Sequence, residues 1–218
     1  RVSSSAASDV YKRQDNRDAA KDLKIEINRL KEQAVQGLVI DLRNNGGGSL
    51  KTVVDMAGMF IESGPVVQVK YFDKEKQVLR DRDRSILWKG PLVILVNEGS
   101  ASASEILAAA MQDYNRAIII GGNQTWGKGT VQNVFPLNRM VRGNTKGDLG
   151  ALRYTTQKYY RVNGGSVQLE GVKSDINLPF RYKYIDFGEK DSENPLQWDE
   201  IENINYKKWN SNCLLYTS

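Results

Sequence analysis

With 218 residues, 40% of them hydrophobic and 26% charged, the chain is long enough to bury a sizeable core in one large domain or two small ones. It holds no histidine, and its only cysteine is Cys213. That excludes Ser-His-Asp and Cys-His catalysis, histidine-based zinc sites and a disulfide framework.

The net charge of +5 comes without a dense run of Lys and Arg, so nucleic acid is not an expected partner. No stretch approaches the ~18 consecutive apolar residues of a membrane-spanning helix. Arg1 to Gln14 also lacks the apolar centre of a secretory signal. Residues 1–14 and 213–218 read as read-through foreign to the remainder, so the natural protein is expected to continue past both ends. On that expectation the missing signal carries no information on compartment. Residues 15–180 are then the principal unit, and 181–212 the start of a C-terminal extension.

Leu23, Ile27, Leu30 and Ala34 recur at helical spacing and predict an amphipathic helix over 18–36, stopped by Gly37. The β-branched run Leu38–Leu42 suits a buried strand and ends in the loop Arg43-Asn44-Asn45-Gly46-Gly47-Gly48. Leu50, Val53, Val54, Ala57, Phe60 and Ile61 form one face of a second helix. Val66–Tyr71 alternates as a strand, with Gln77–Arg80 as its hairpin partner, and 72–90 is a charged surface excursion.

Pro91–Val96 is a second buried strand, a helix starts near Ser102, and Ala117–Ile120 is a third buried strand. Thr130–Phe135 alternates again. Leu152–Val162 and Val167–Leu169 flank Asn163-Gly164-Gly165, which predicts a hairpin. Beyond about residue 176 the pattern is irregular, with Trp198 and Trp209 expected to pack on the domain. Strand and helix alternating over 38–120 specify an α/β unit with a largely parallel sheet.

Three segments could carry chemistry. Ser100-Ala101-Ser102-Ala103-Ser104-Glu105 lies between a buried strand and a helix, where a serine projects into the crevice beyond the strand ends. The helix N-terminus there favours developing negative charge. Ser102-x-x-Glu105 is also a capping box, the commoner reason for a serine at that position.

Lys128 is flanked by Gly127 and Gly129, which let other backbone approach closely, and Trp126 offers an apolar wall that would depress its pKa. A solvated loop lysine fits the same residues. If the stretch is extended, Lys128, Thr130 and Gln132 share one face and the Gln132 amide can orient the amine. The third segment, Asn44 to Gly48, exposes backbone N–H groups as an oxyanion hole requires, and matches neither a phosphate loop nor a dinucleotide fingerprint. Asp113 and Arg116 are expected to form a structural ion pair at the far end of the serine helix.

Taken together and in order, IDLRNNGGGSL, NEGSASASEILAAAMQDYNRAIIIG and WGKGTVQ resemble the C-terminal processing, or tail-specific, proteases of peptidase family S41. TTQKYYRVNGGSVQLEGVKSDI and NPLQWDEI extend the resemblance over roughly 18–202. It implies a crotonase-like, ClpP-like α/β catalytic core over 15–180, with a mixed, largely parallel sheet. It implies Ser102 as nucleophile, Lys128 as general base, Gln132 as the residue orienting it, and an oxyanion hole at Gly47 and Ala103. Glu105 and Asp113 are supporting residues, and no cofactor or metal is called for.

The same resemblance implies unfolded or tail-tagged protein substrates with apolar C-termini. It also implies an adaptor lipoprotein, peripheral membrane association of the parent protein, and a bacterial periplasmic or envelope location. Family members carry a PDZ domain, which this stretch lacks. Trp126 stands where Phe or Tyr is usual, and the loop from Gly122 to Thr125 is one residue longer than the common form. Two rival functions use parts of the pattern. A non-catalytic module for apolar ligands such as retinoids would not need Ser, Lys and Gln together. A crotonase-type acyl-CoA enzyme would use only the glycine loop.

Overall fold

The computed structural model describes residues 18–71, 74–141, 143–145, 147–179 and 187–209. The expectations placed on 1–14 and 213–218 lie outside them. Helix α1 (Ala19–Glu32) begins at Asp18, whose carboxylate accepts from Ala20 N at 3.0 Å, and buries Ala20, Leu23 and Ile27. It stops short of the predicted Gly37. Ala34 takes φ 52°, with Val35 N bonded to Leu30 O and Ala34 N to Lys31 O, a Schellman closure made without glycine.

The α/β architecture matches the expectation, with the strands divided between two sheets. Strands β1 (Leu38–Asp41), β4 (Leu92–Val96), β5 (Ile118–Gly121) and β8 (Ile176–Asn177) form a parallel sheet in the order β1-β4-β5-β8. Leu38 aligns with Leu92, and Leu95 with Ile120. Strands β2 (Gly64–Tyr71), β3 (Gln77–Asp81), β6 (Thr130–Pro136) and β7 (Ala151–Tyr160) form an antiparallel sheet in the order β3-β2-β7-β6.

Between the sheets runs α3 (Ala103–Asp113), packed against β2, β5 and α2 (Leu50–Gly58). Every α3 residue except Gln112 is buried. The small side chains of Ala108, Ala109 and Ala110 let both sheets close on it, while Ile106, Leu107 and Met111 fill the space above and below. Trp209 also packs on the domain as expected, its backbone N–H donating to Tyr114 O at 2.8 Å and its ring lying against Arg116.

The hairpin predicted around Asn163-Gly164-Gly165 is not made. A turn forms there, with Arg161 N on Gly165 O, but only an isolated bridge joins Tyr160 to Ser166. β7 pairs instead with β6 and β2. Leu169 takes φ 65° and Gly171 N returns to Val167 O, so the chain curls away from β7. Leu169 N is thereby delivered to Gly127 O at 2.8 Å, beside Lys128.

Candidate active site

Ser102 sits where β4 gives way to α3, at φ 56° and ψ −115°. A left-handed φ on a residue with a Cβ costs on the order of 1–3 kcal/mol and persists only where the surroundings impose it. The impositions are visible. Ser102 N donates to Glu105 Oε2 at 2.8 Å, and Ala101 N donates to Asn45 O at 2.9 Å. Ser100 Oγ, fully buried, donates to Leu42 O, and the Asn97 and Asn44 side chains bond across the two loops. These bonds stitch the glycine loop after β1 to the serine turn after β4.

Gly47 is therefore close to the serine. It has φ 93°, and a Cβ there would lie 2.6 Å from Ala101 O and Ala103 N and 2.9 Å from Ser102 Cβ. Only glycine fits this approach. Gly47 N donates to Asn45 Oδ1 at 3.0 Å in this conformation, so it must turn from that acceptor to serve a substrate oxygen. Ala103 N, at the first position of α3, belongs to the helix turn whose N–H groups have no intrahelical acceptor.

Glu105 does more than cap the helix. It is fully buried, and its carboxylate accepts from four donors. Oε2 takes Ser102 N at 2.8 Å and Lys128 N at 3.0 Å; Oε1 takes Thr125 Oγ1 at 2.6 Å and Gly127 N at 2.7 Å. One oxygen thus holds both the serine turn and the lysine loop. Burial pushes Glu105 up to about 7, and the four donors pull in the opposite direction.

Trp126 N adds a further link, to Ser100 O at 2.9 Å. Gly127, at φ 88°, lies against the Leu169 backbone, where a Cβ would come within 2.9 Å of the carbonyl carbon. The close approach expected of this glycine is present.

Lys128 Nζ donates to Gln132 Oε1 at 3.3 Å. Thr130 does not share their face: it is buried, and a bulge between Val131 and Gln132 breaks the alternation. Burial lowers the Lys128 pKa from its ordinary 10.5; Arg153 acts in the same sense, while Glu189 and Glu105 oppose it. No hydrogen bond joins Lys128 Nζ to Ser102 Oγ in this conformation. Catalytic hydrogen bonds commonly tighten only when substrate is bound.

Sequence reasoning missed Tyr159. It is buried on β7, and its hydroxyl reaches Lys128 O at 2.5 Å and Ser102 O at 3.3 Å. Two adjacent tyrosines in an alternating strand read only as β-propensity, so nothing local marks this one.

Asp113 is placed elsewhere. Ten residues of helix separate it from Ala103, about 15 Å. It binds Arg161 Nη2 at 2.6 Å and Asn163 Nδ2 at 3.1 Å, with burial raising its pKa and Arg161 lowering it. The expected pair with Arg116 is not formed. Asn115 at φ 54° turns the chain, and Arg116 points inward to Phe60 O, Trp88 O and Gly90 O, with Trp209 stacked at 4.7 Å. Burial lowers Arg116 to about 10. Gly47, Ser102, Ala103, Glu105, Lys128 and Gln132 therefore gather in one place, and Asp113 supports the turn at 161–165.

Residues 8–178 match the model of peptidase family S41, and residues 182–216 match the C-terminal domain of tail specific protease (DUF3340). Both matches run past the boundaries at which foreign ends were expected. The chain is 48% identical over 185 residues to the tail-specific protease of Haemophilus influenzae, covering 85% of this chain and 26% of that protein. It is 39% identical over 165 residues to a carboxy-terminal-processing protease of Bartonella bacilliformis, covering 73% and 36% respectively. Among solved structures, the photosystem II D1 C-terminal processing protease superposes with a TM-score of 0.62 at 33% identity, over 73% of this chain and 39% of that one. The chain thus spans about a quarter to about two fifths of the length of these relatives. Over most of its length it belongs to peptidase family S41, continued by the C-terminal domain of tail specific protease.

Proposed function

We propose that the chain carries the catalytic core of a serine endopeptidase of the tail-specific type, working through a Ser102–Lys128 dyad. The observation that carries this reading is the single Glu105 oxygen that holds Ser102 N and Lys128 N together. That shared acceptor supports pairing a strained serine at a helix N-terminus with a lysine whose burial lowers its pKa and so favours the neutral amine.

In this mechanism neutral Lys128 Nζ takes the Ser102 hydroxyl proton as Oγ attacks a peptide carbonyl. The carbonyl oxygen becomes an oxyanion facing Ala103 N–H and, once it turns from Asn45, Gly47 N–H. Lys128 then gives its proton to the departing amine, leaving an ester on Ser102. Water, deprotonated by the same amine, hydrolyses that ester and restores the serine. Gln132 Oε1 accepts an N–H of the amine and so directs its lone pair.

Substrates on this reading are unfolded or tail-tagged proteins with apolar C-termini, delivered in the parent protein by a recognition domain or an adaptor lipoprotein. The site of action is the bacterial periplasm or envelope. A non-catalytic binder or an acyl-CoA enzyme would leave the Ser–Lys–Gln arrangement without a role. The test is labelling of the chain with a fluorophosphonate, followed by mapping of the adduct. Modification of Ser102 that vanishes in Ser102→Ala and in Lys128→Ala is expected; undiminished labelling of either variant sinks the dyad.

A further inference from the structure

Glu189 lies beyond the residues matched by the peptidase model, in the stretch matched by the C-terminal domain, yet it is fastened to the loop that carries Lys128. Its backbone N–H donates to Trp126 O at 2.8 Å. Its carboxylate accepts Trp126 Nε1 on Oε2 at 2.9 Å and Gln168 Nε2 on Oε1 at 3.4 Å. Phe187 sets its ring edge-on to Trp126, with centroids 4.8 Å apart. On its other side Trp126 donates its backbone N–H to Ser100 O. Trp126 is thus gripped between the serine turn and the extension, two residues before the base.

We propose that Glu189 is a positioning residue for the Lys128 base, its carboxylate and backbone clamping Trp126 so that the extension fixes the loop from which the amine reaches Ser102. The inference rests on the Ser–Lys reading above. A second effect follows from charge. The groups acting on the Lys128 amine are Gln132 by hydrogen bond, Arg153, Glu105 and Glu189. Glu189 favours the ammonium, so removing its charge moves deprotonation of Lys128 to lower pH.

The whole 218-residue chain is compared with Glu189→Gln and Glu189→Ala, by amide hydrogen exchange and by the pH dependence of fluorophosphonate labelling. Gln keeps an acceptor for the indole and removes the charge, whereas Ala removes both. Exchange at 126–128 is expected to quicken about tenfold in Glu189→Ala, the loss of one charge-assisted bond. It stays at wild-type rates in Glu189→Gln, and in the middle of α3 in both variants. The rising limb of labelling shifts to lower pH in both, and maximal labelling slows on the order of tenfold only in Glu189→Ala.

Trp126→Phe keeps an aromatic ring but removes the indole N–H that Glu189 accepts, and it is expected to quicken the same amides, so the outcome does not hang on one variant's folding. Wild-type exchange at 126–128 in both Glu189→Ala and Trp126→Phe overturns the clamp, and a labelling limb unmoved in Glu189→Gln overturns the charge effect on Lys128. If the wild-type chain itself is not labelled at Ser102, the Ser–Lys reading falls, while the exchange rates still decide whether Glu189 holds the loop.

Discussion

Replacing Gly47 by alanine tests how closely the glycine loop is fitted to the serine turn. Gly47 has φ 93°, and forcing a Cβ into left-handed backbone costs about 1–2 kcal/mol. The new methyl would also stand 2.6 Å from Ala101 O and from Ala103 N, well inside the ~3.5 Å of ordinary contact. Those atoms cannot retreat, because Ala101 N is held by Asn45 O, Ser102 N by Glu105 and Ser100 O by Trp126 N. The loop itself must withdraw by about 1 Å, an overpacking cost of roughly 1–3 kcal/mol.

Added together, the two costs amount to about 2–5 kcal/mol, and a chain of this size loses roughly 2–4 °C of Tm per kcal/mol. A calorimetric melt should therefore fall by roughly 4–20 °C. Fluorophosphonate labelling of Ser102 should slow on the order of a hundredfold, the scale of a misplacement of about 1 Å. Gly48→Ala is the control: nothing lies within 4 Å of its added Cβ, and labelling should stay within about twofold of wild type. A Gly47→Ala chain that melts and labels like wild type would refute the fitted-loop argument, as would equal damage from Gly48→Ala.

Arg161→Met should leave buried Asp113 with the Asn163 hydrogen bond and the more distant charge of Lys208, costing about 3–5 kcal/mol in a denaturant melt; Arg161→Met combined with Asp113→Leu should recover part of the loss. Lys128→Met should abolish labelling yet melt at or above the wild-type temperature at pH 7. Burial depresses the lysine pKa below 10.5, so the folded state disfavours the ammonium; the stability this group lends is present above 10.5 and lost as pH falls. The advantage of methionine should accordingly shrink as the pH is raised toward 10.5, which melts across that range will check. Leu107→Ala, inside the packing of α3, should cost about 2–5 kcal/mol by the same measurement.

The strands and helices were legible because apolar runs such as Leu92–Val96 and the helical spacing of Leu23 and Ile27 encode burial locally. The serine and lysine segments were legible as motifs. What escaped was decided by contacts distant in sequence. Glu105 looks like a helix cap until Thr125, Gly127 and Lys128 arrive at its carboxylate from twenty or so residues away. Tyr159 becomes informative only when β7 pairs with β2 and β6. The hairpin at 163–165 failed because Leu169 is turned toward Gly127, and the Asp113–Arg116 pair failed because Asn115 reverses the chain between them. Glu105, Tyr159 and the hairpin were each decided by a partner the local pattern did not contain, and Asp113 and Arg116 found theirs at Arg161 and at Phe60, Trp88 and Gly90.

The serine leaves the end of β4 in the parallel sheet, whereas the lysine enters β6 in the antiparallel one. On the proposed Ser102–Lys128 reading the reacting atoms belong to different slabs of the molecule, and the gap between them is a measure of how those slabs lie on α3. A small shear of one slab over the polyalanine stretch of α3 would lengthen or shorten that gap without disturbing either slab internally. Glu105, bonded to both sides, is the rivet that resists such sliding. If the proposed dyad operates, its competence depends on how the two sheets are registered, and substitutions far from Ser102, along the seam rather than at its mouth, are then expected to tune labelling of the serine.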